Sequence, residues 1–170
     1  MSIFDFAASQ ARATRRLAAA PKAGRRRPRS DRGTSRVDPR ILQWLGESLQ
    51  GYDRPMMATV RRDLARRCRH HGLEPPSRAT VYKLLATLPT TTCRVAHLPP
   101  AVQQALYNLA PESDVPAHQV AFYCFNYGDL AAISFAAGLP WLALYQARRM
   151  PGHRPKSRGL LDAVAHVRGL

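Results

Sequence analysis

Prolines divide most of the chain into short segments whose apolar residues recur at helical spacing. Pro39, Pro55, the pair Pro75-Pro76 and the pair Pro99-Pro100 each stand where such a segment begins. Proline fits the first turn of a helix but breaks its interior, because it lacks the backbone N–H and its ring clashes with the preceding turn. The sequence therefore predicts a mainly α-helical fold built from short helices.

The charge of the chain is high and unevenly distributed. Its 170 residues include 26 Lys and Arg against 11 Asp and Glu, which gives a net charge of +15. Residues 1–90 hold 19 of the cations against 7 acids, whereas residues 91–147 hold only Arg94 against three acids. Such a charge repels itself and lowers stability, so a polyanionic partner, above all nucleic acid, is the interpretation that we favour. The alternative is charge for solubility alone.

The first 38 residues are predicted to form a disordered, arginine-rich arm. Residues 21–37 are rich in Pro, Gly, Ser and Arg and show no apolar period. Such a stretch cannot bury enough surface to offset the entropy lost on ordering. The residues of this arm that we expect to lie along DNA phosphates are Arg25, Arg26, Arg27 and Arg29. A solvated linker or a localisation signal is the alternative.

Residues 39–97 are predicted to form a helix-turn-helix domain. In the helix expected after Pro55, four apolar residues recur every four positions and define one buried face: Met56, Val60, Leu64 and Cys68. The opposite face carries four arginines that we expect to neutralise DNA phosphates: Arg61, Arg62, Arg66 and Arg69. Gly72 is expected to end this helix.

A second, short helix is predicted directly after Pro75-Pro76. Ser77 stands where the helix needs an N-cap, and Val81, Leu84, Leu85 and Leu88 recur on one inward face. The outward face of the helix carries Ala79 and Ala86, small residues that let a helix come close to a DNA groove. The residues of this helix that we expect to contact base edges and neighbouring phosphates are Ser77, Arg78, Thr80, Tyr82 and Lys83.

The stretch Ser-Arg-Ala-Thr-Val-Tyr-Lys-Leu-Leu at residues 77–85 resembles the recognition helix of helix-turn-helix and winged-helix DNA-binding proteins, of the bacterial transcriptional-regulator type. The resemblance covers residues 39–95 and implies a helix seated in the major groove. The turn at residues 73–76 is longer than the tightest version, which favours the winged-helix type. The β-branched run from Thr90 to Val95 predicts one short strand pair as the wing, with Arg94 on DNA. The alternative is an ordinary amphipathic helix in a bundle.

Residues 98–170 are predicted to form a helical domain for dimerisation or partner docking. The residues from Asp114 to Pro116 are expected to cap a helix that is apolar nearly all round, which is typical of a core or an interface. The uncharged run Leu130–Ala147 predicts a buried helix-turn-helix rather than a membrane span. The end of this domain is basic: Arg148 and Arg149 are expected to reach the DNA backbone, and a loop is predicted before a helix at Gly159–Val167.

A second DNA-reading unit at residues 129–149 is an alternative, although packing or self-association is the interpretation that we favour there. The residues that this alternative places outward are Leu142, Tyr145, Gln146 and Arg149.

The sequence carries no motif of catalysis or metal binding. It contains no glycine-rich phosphate loop, no G-x-S-x-G and no H-E-x-x-H. Cys68, Cys93 and Cys124 lie far apart without C-x-x-C spacing, so we expect reduced thiols in helix cores. We expect no enzyme, no catalytic residue, no metal and no cofactor. Tyr82 as the nucleophile of a nicking or integrating enzyme is the alternative.

The predicted function is that of a sequence-selective regulator of transcription that binds double-stranded DNA. An autoregulating antitoxin or a regulator of a mobile element is a variant of it. Besides duplex DNA, we expect a homodimer or a protein partner held through residues 98–170, and no membrane. The expected location is the cytoplasm, at the nucleoid; a mitochondrial presequence over Met1–Ser30 is an alternative. An RNA-binding or ribosome-associated protein, or a protein–protein adaptor, remains an open alternative.

Overall fold

The computed structural model describes residues 37–50 and 54–170. Almost all of the predicted arm over residues 1–38, with Arg25, Arg26, Arg27 and Arg29, lies outside the described residues. Residues Val37–Leu170 form one compact unit. Of the described residues, 64% are helical and 5% lie in strands, so the prediction of a mainly α fold is confirmed.

Eight α-helices and two short strands follow one another along the described residues. Before the first strand lie α1 (Pro39–Gln50), α2 (Met57–His70) and α3 (Arg78–Thr87). The strand β1 (Thr92–Arg94) continues into a single 3₁₀ turn (Val95–His97) and α4 (Pro100–Ala105). The chain then forms β2 (Asp114–Pro116), α5 (Ala117–Tyr127), α6 (Leu130–Ala137), α7 (Trp141–Ala147) and α8 (Pro155–Val167).

Local capping explains where several helices begin. Ser77 Oγ accepts a hydrogen bond from the Thr80 backbone N–H at 3.1 Å, and Asp129 Oδ1 accepts one from Ala132 at 2.8 Å. Asp38 Oδ1 likewise accepts from the Arg40 N–H at 2.9 Å. These side chains satisfy backbone donors that have no partner in the first turn of a helix. The predicted cap at Ser77 is therefore confirmed, and Asp38 and Asp129 cap their helices in the same way.

Two clusters of buried side chains form the core. The first is built mostly from α1, α2 and α3, including Leu45, Leu64 and Leu85. The second surrounds α5, whose Val120 and Cys124 are completely buried. The helix α7 belongs to both clusters, because different faces of it contact each one. The division into domains at residues 97 and 98 stays a prediction.

The pairing of the two strands joins the segment that follows α3 to the segment that precedes α5. They pair antiparallel, with Cys93 opposite Val115 and Arg94 opposite Asp114. The predicted strand in the Thr90–Val95 run is present, but its partner comes from beyond α4 rather than from an adjacent hairpin. The helix predicted after Asp114–Pro116 begins directly at Ala117, with Pro116 at its N-cap position. The three residues also form β2, and no side chain among them donates or accepts a capping hydrogen bond.

Three further sequence predictions need correction. Met56 is 72% exposed and lies before α2, so it does not continue the buried stripe of Val60, Leu64 and Cys68. The final helix begins at Pro155 rather than Gly159, since proline is favourable in a first turn. Cys93 lies half-buried in β1 instead of a helix core, although all three cysteines are free thiols.

The apolar run at residues 130–147 folds as a bent pair of helices. The axes of α6 and α7 meet at 119°, and Ala132, Ala136 and Leu144 are buried in the second cluster. The prediction of a buried helix-turn-helix is therefore confirmed. Within the part of the chain that the structure describes, no single helix has the length and apolar character needed to cross a membrane.

Candidate nucleic-acid interface

The helices α2 and α3 pack at the first core cluster with a seven-residue connection between them. Val60, Leu64 and Cys68 of α2 are buried in the same cluster as Val81 and Leu85 of α3. The connection turns at Gly72, whose φ of +67° lies in the left-handed region that glycine adopts without strain. It ends at the capping residue Ser77. The arrangement holds α3 against a scaffold and leaves one of its sides in contact with solvent.

The exposed side of α3 combines small, hydroxyl-bearing and basic side chains. The inward residues Val81, Leu84, Leu85 and Leu88 are all buried, as predicted. The exposed residues of this helix are Arg78, Ala79, Lys83, Ala86 and Thr87. Within the described residues, the Lys83 ammonium makes no ion pair, so its positive charge is available to an external anion.

Two of the predicted reading residues are partly engaged inside the protein. Thr80 is half-buried, and its Oγ1 lies 2.9 Å from Ser77 Oγ in the cap of the helix. Tyr82 is half-buried and packs against the first cluster. The guanidinium carbon of Arg78 lies 5.7 Å from the centre of the Tyr82 ring. Of the predicted reading residues on α3, Arg78 and Lys83 are therefore the exposed ones.

The predicted arginines of α2 are spread over its surface. Arg62, Arg66 and Arg69 are exposed and Arg61 is half-buried. Arg66 lies 3.3 Å from Asp63 in an exposed pair of side chains one turn apart. Such a pair is weak in water and leaves Arg66 able to exchange its partner.

Arg94 projects from β1, close in sequence to the end of α3. Its side chain is half-exposed and its Nε lies 3.4 Å from Asp114 Oδ1 across the strand ladder. The ladder thus carries an arginine in the segment that follows α3 in the chain, where the sequence predicted a wing.

The link between α7 and α3 brings a further arginine close to Tyr82. The Tyr145 hydroxyl donates to the Tyr82 backbone oxygen at 3.4 Å. Arg149 donates from Nη1 to that same hydroxyl, and its guanidinium carbon lies 4.9 Å from the centre of the Tyr145 ring. Arg149 is exposed, and Arg148 beside it is half-buried and bonded to Asp162. Arg149 is therefore joined to α3 through one tyrosine.

The structure disagrees with the alternative of a second DNA-reading helix in α7, because residues expected to face outward are buried. Tyr145 and Gln146, which that alternative places outward, are only 8% and 7% exposed. Gln146 Nε2 donates to the backbone oxygens of Leu85 at 2.9 Å and Leu88 at 2.7 Å. Of the four outward positions, Arg149 alone is exposed, because α7 packs directly on the C-terminal end of α3.

Two carboxylates, those of Asp162 and Glu47, accept hydrogen bonds from arginines. The Arg148 hydrogen bond holds the pKa of the Asp162 carboxyl below its usual value, and the Arg67 hydrogen bond does the same for Glu47. Arg158 also contacts Asp162, at 3.5 Å.

The sequence prediction of site residues omitted Arg158, Asp162 and Gln146. The i,i+4 spacing of Arg158 and Asp162 was the one signal in the sequence that pointed to this cluster.

The chain was compared with protein-family models, with curated protein sequences and with solved structures, and none of these comparisons gives a match.

Proposed function

We propose that the protein is a sequence-selective regulator of transcription that binds double-stranded DNA with α3 in the major groove. The observation that carries this proposal is the exposed face of α3, on which Lys83 lies between Ala79 and Ala86. The opposite face is held in the core through Val81 and Leu85. A helix that reads DNA needs one face packed firmly in the core and an exposed face with small side chains. Only then can the helix come close enough to the base edges in the major groove.

The side chains of α3 suit the chemistry of a groove. Lys83 can donate to the O6 and N7 acceptors of guanine, and the methyl groups of Ala79 and Ala86 can contact the methyl group of thymine. Arg78 in the first turn is placed to bind a phosphate, which the N-terminus of the helix also favours. Ser77 and Thr80 support this role by fixing where the helix begins.

Phosphate contacts from neighbouring elements complete the proposed interface. Arg61, Arg62, Arg66 and Arg69 of α2 would neutralise the backbone, as would Arg149 beside Tyr82. We assign the role of a wing to the β1–β2 ladder, with Arg94 on a phosphate. The residues from the arm that share this role are Arg25, Arg26, Arg27 and Arg29. The net charge of +15 supports a polyanionic partner such as duplex DNA.

The remaining parts of the proposal concern assembly and location. Residues 98–170 would hold a second copy or a protein partner, and the protein would act at the nucleoid in the cytoplasm. We assign it no catalytic role and no cofactor. An autoregulating antitoxin and a regulator of a mobile element are both compatible with this scheme.

Selection of bound duplexes from a random pool tests the proposal directly. We expect one sequence motif to be enriched. Substituting Lys83→Ala should then lower the ratio of specific to nonspecific affinity about tenfold, since a good base contact is worth about 1–3 kcal/mol. Binding is measured by fluorescence anisotropy at fixed salt, because affinity for DNA depends steeply on salt.

The variant Lys156→Ala is the matched control, because it removes an exposed lysine from α8. It should change specific and nonspecific affinity alike. The contrary result has three parts: no motif is enriched, deletion of residues 1–38 abolishes binding, and Lys83→Ala leaves binding intact. That result would replace the proposal with RNA binding or architectural DNA binding by the arm.

A further inference from the structure

A groove between the end of α7 and α8 collects three arginines. Its volume is about 450 Å³, and it is lined by Tyr145, Arg148, Arg149, Arg158 and Leu170; we call it the arginine groove. This volume falls in the range of about 300–1,000 Å³ that small-molecule sites occupy. Among the ion pairs of the described residues, Asp162 is the one carboxylate that contacts these arginines.

The three guanidinium groups each contact a partner within the protein. Arg148 Nε donates to Asp162 Oδ1 at 2.7 Å, and Arg158 Nε lies 3.5 Å from Asp162 Oδ2. Both contacts use Nε, which leaves the terminal NH2 groups of these two arginines for another acceptor. Arg149 is fixed differently, by its bond to the Tyr145 hydroxyl and by its position over the Tyr145 ring. The hydrogen bonds of Arg148 and Arg149 orient these two groups in advance, which lowers the entropy cost of binding a ligand.

The charge of the groove is not balanced by its own residues. Among the side chains of the groove, three guanidinium groups stand against the single carboxylate of Asp162, and neighbouring like charges repel each other. A bound anion would relieve this repulsion. The planar fork of arginine matches the oxygens of a phosphate, to which it donates two parallel hydrogen bonds.

We infer that the arginine groove binds a phosphoryl group through Arg148, Arg149 and Arg158. The phosphoryl group can come from two sources, a backbone phosphate of bound duplex DNA or a free phosphate ester. The duplex source rests on the proposed function, whereas the free ester does not. The link from Tyr145 to the Tyr82 backbone oxygen places the groove beside α3, where the phosphate of a duplex read by α3 would lie.

A spectroscopic reporter, Trp141, lies next to the groove, in contact with the lining residue Tyr145. Trp141 is stacked on Tyr145, with ring centres 5.2 Å apart and planes 11° apart, and it is buried. The chain has two tryptophans. The other, Trp44, is half-buried in α1, so Trp44→Phe is a conservative change that leaves Trp141 as the sole tryptophan emitter. All variants of this experiment are made in the full chain with Trp44→Phe.

The experiment titrates this protein with pyrophosphate, and with sodium chloride at the same ionic strength. We expect a saturable change in Trp141 emission with pyrophosphate alone. Arg158→Ala should weaken the apparent affinity about tenfold, the loss expected for a charge-assisted hydrogen bond. Arg158→Lys should recover part of it, since lysine keeps the charge but not the fork. Lys156→Ala, on the same helix but outside the groove, should bind as tightly as the parent protein.

Two results would overturn the inference. One is the absence of a saturable change beyond that given by chloride, and the other is an equal affinity for pyrophosphate in the Arg158→Ala and Lys156→Ala variants. Because the titration contains no DNA, failure to enrich a duplex motif would remove the proposed function and leave the phosphoryl site standing.

The salt dependence of duplex binding then separates the two sources. If the duplex backbone occupies the groove, Arg158→Ala lowers the slope of log affinity against log salt by about 0.9, the value for one phosphate contact. If the slope is unchanged while pyrophosphate binding is lost, the groove takes a free phosphate ester, and the inference holds through that source.

Discussion

His118 is a side chain that couples the start of α5 to the segment after α3. Its Nδ1 lies 2.8 Å from Thr90 Oγ1, and burial lowers the pKa of His118 below its ordinary value of 6.5. The unfolded chain therefore takes up a proton at this site at a higher pH than the folded protein does. Since the unfolded state then binds more protons, stability falls as the pH falls below 6.5.

We expect the free energy of unfolding in urea to decrease from about pH 7 to about pH 5, with part of the decrease due to His118. The variant His118→Asn keeps a polar group near Thr90 but has no proton to gain, so its pH profile should be flatter. His97→Asn is the matched control, because the His97 side chain is exposed. A His118→Asn profile as steep as that of the wild-type protein would contradict this assignment.

At the scale of elements, the contact between α7 and α3 includes a buried amide, that of Gln146. Gln146 caps the C-terminal end of α3 from another helix, by donating to the carbonyl oxygens of Leu85 and Leu88. Carbonyls at the end of a helix have no partner within it and need one from elsewhere when they are buried. The end of α3, and with it the proposed reading surface, is thus supported by a residue of the C-terminal half as well as by the first core cluster.

Replacing this amide should destabilise the protein. We expect Gln146→Met to lower the free energy of unfolding by about 1–3 kcal/mol, the cost of leaving a buried polar group without a partner. Gln103 provides the control, since its Nε2 also donates to two carbonyls, those of Leu98 and Ala96, but lies nearer the surface. Water can replace the amide there, so Gln103→Met should cost less in urea unfolding. An equal loss in the free energy of unfolding for the two variants would show that burial of the Gln146 amide does not determine the size of the effect.

Local sequence signals predicted those elements that local physics determines. The inward face of α3 and its cap at Ser77 follow from helical periodicity and from the hydrogen bond of a serine to the first turn, both of which lie within a few residues. The pairing of β1 with β2, and the burial of Tyr145 and Gln146, depend on segments that are about 20 and 60 residues away. Periodicity identifies the faces of a helix but not the element that covers each face.

At the scale of the molecule, α7 joins the two halves of the core. Trp141 and Tyr145 are buried in the first cluster, whereas Ala143, Leu144 and Ala147 are buried in the second. A helix from the nearly neutral stretch 91–147 thus completes the core of the basic N-terminal half. The boundary at residue 97 follows the change in charge, but the buried side chains cross it.

The sharing of α7 predicts that residues 37–97 will not fold as an isolated fragment. Removing a single buried tryptophan costs about 3–5 kcal/mol, which is as much as a core of this length supplies in total. Without Trp141 and Tyr145, α3 would lose the partner of its C-terminal end as well. We expect the fragment to show a weak near-ultraviolet dichroism signal and no cooperative unfolding transition, while residues 37–170 unfold in one step. A cooperative transition and a well-dispersed amide spectrum for the fragment would instead establish residues 39–97 as an independent domain.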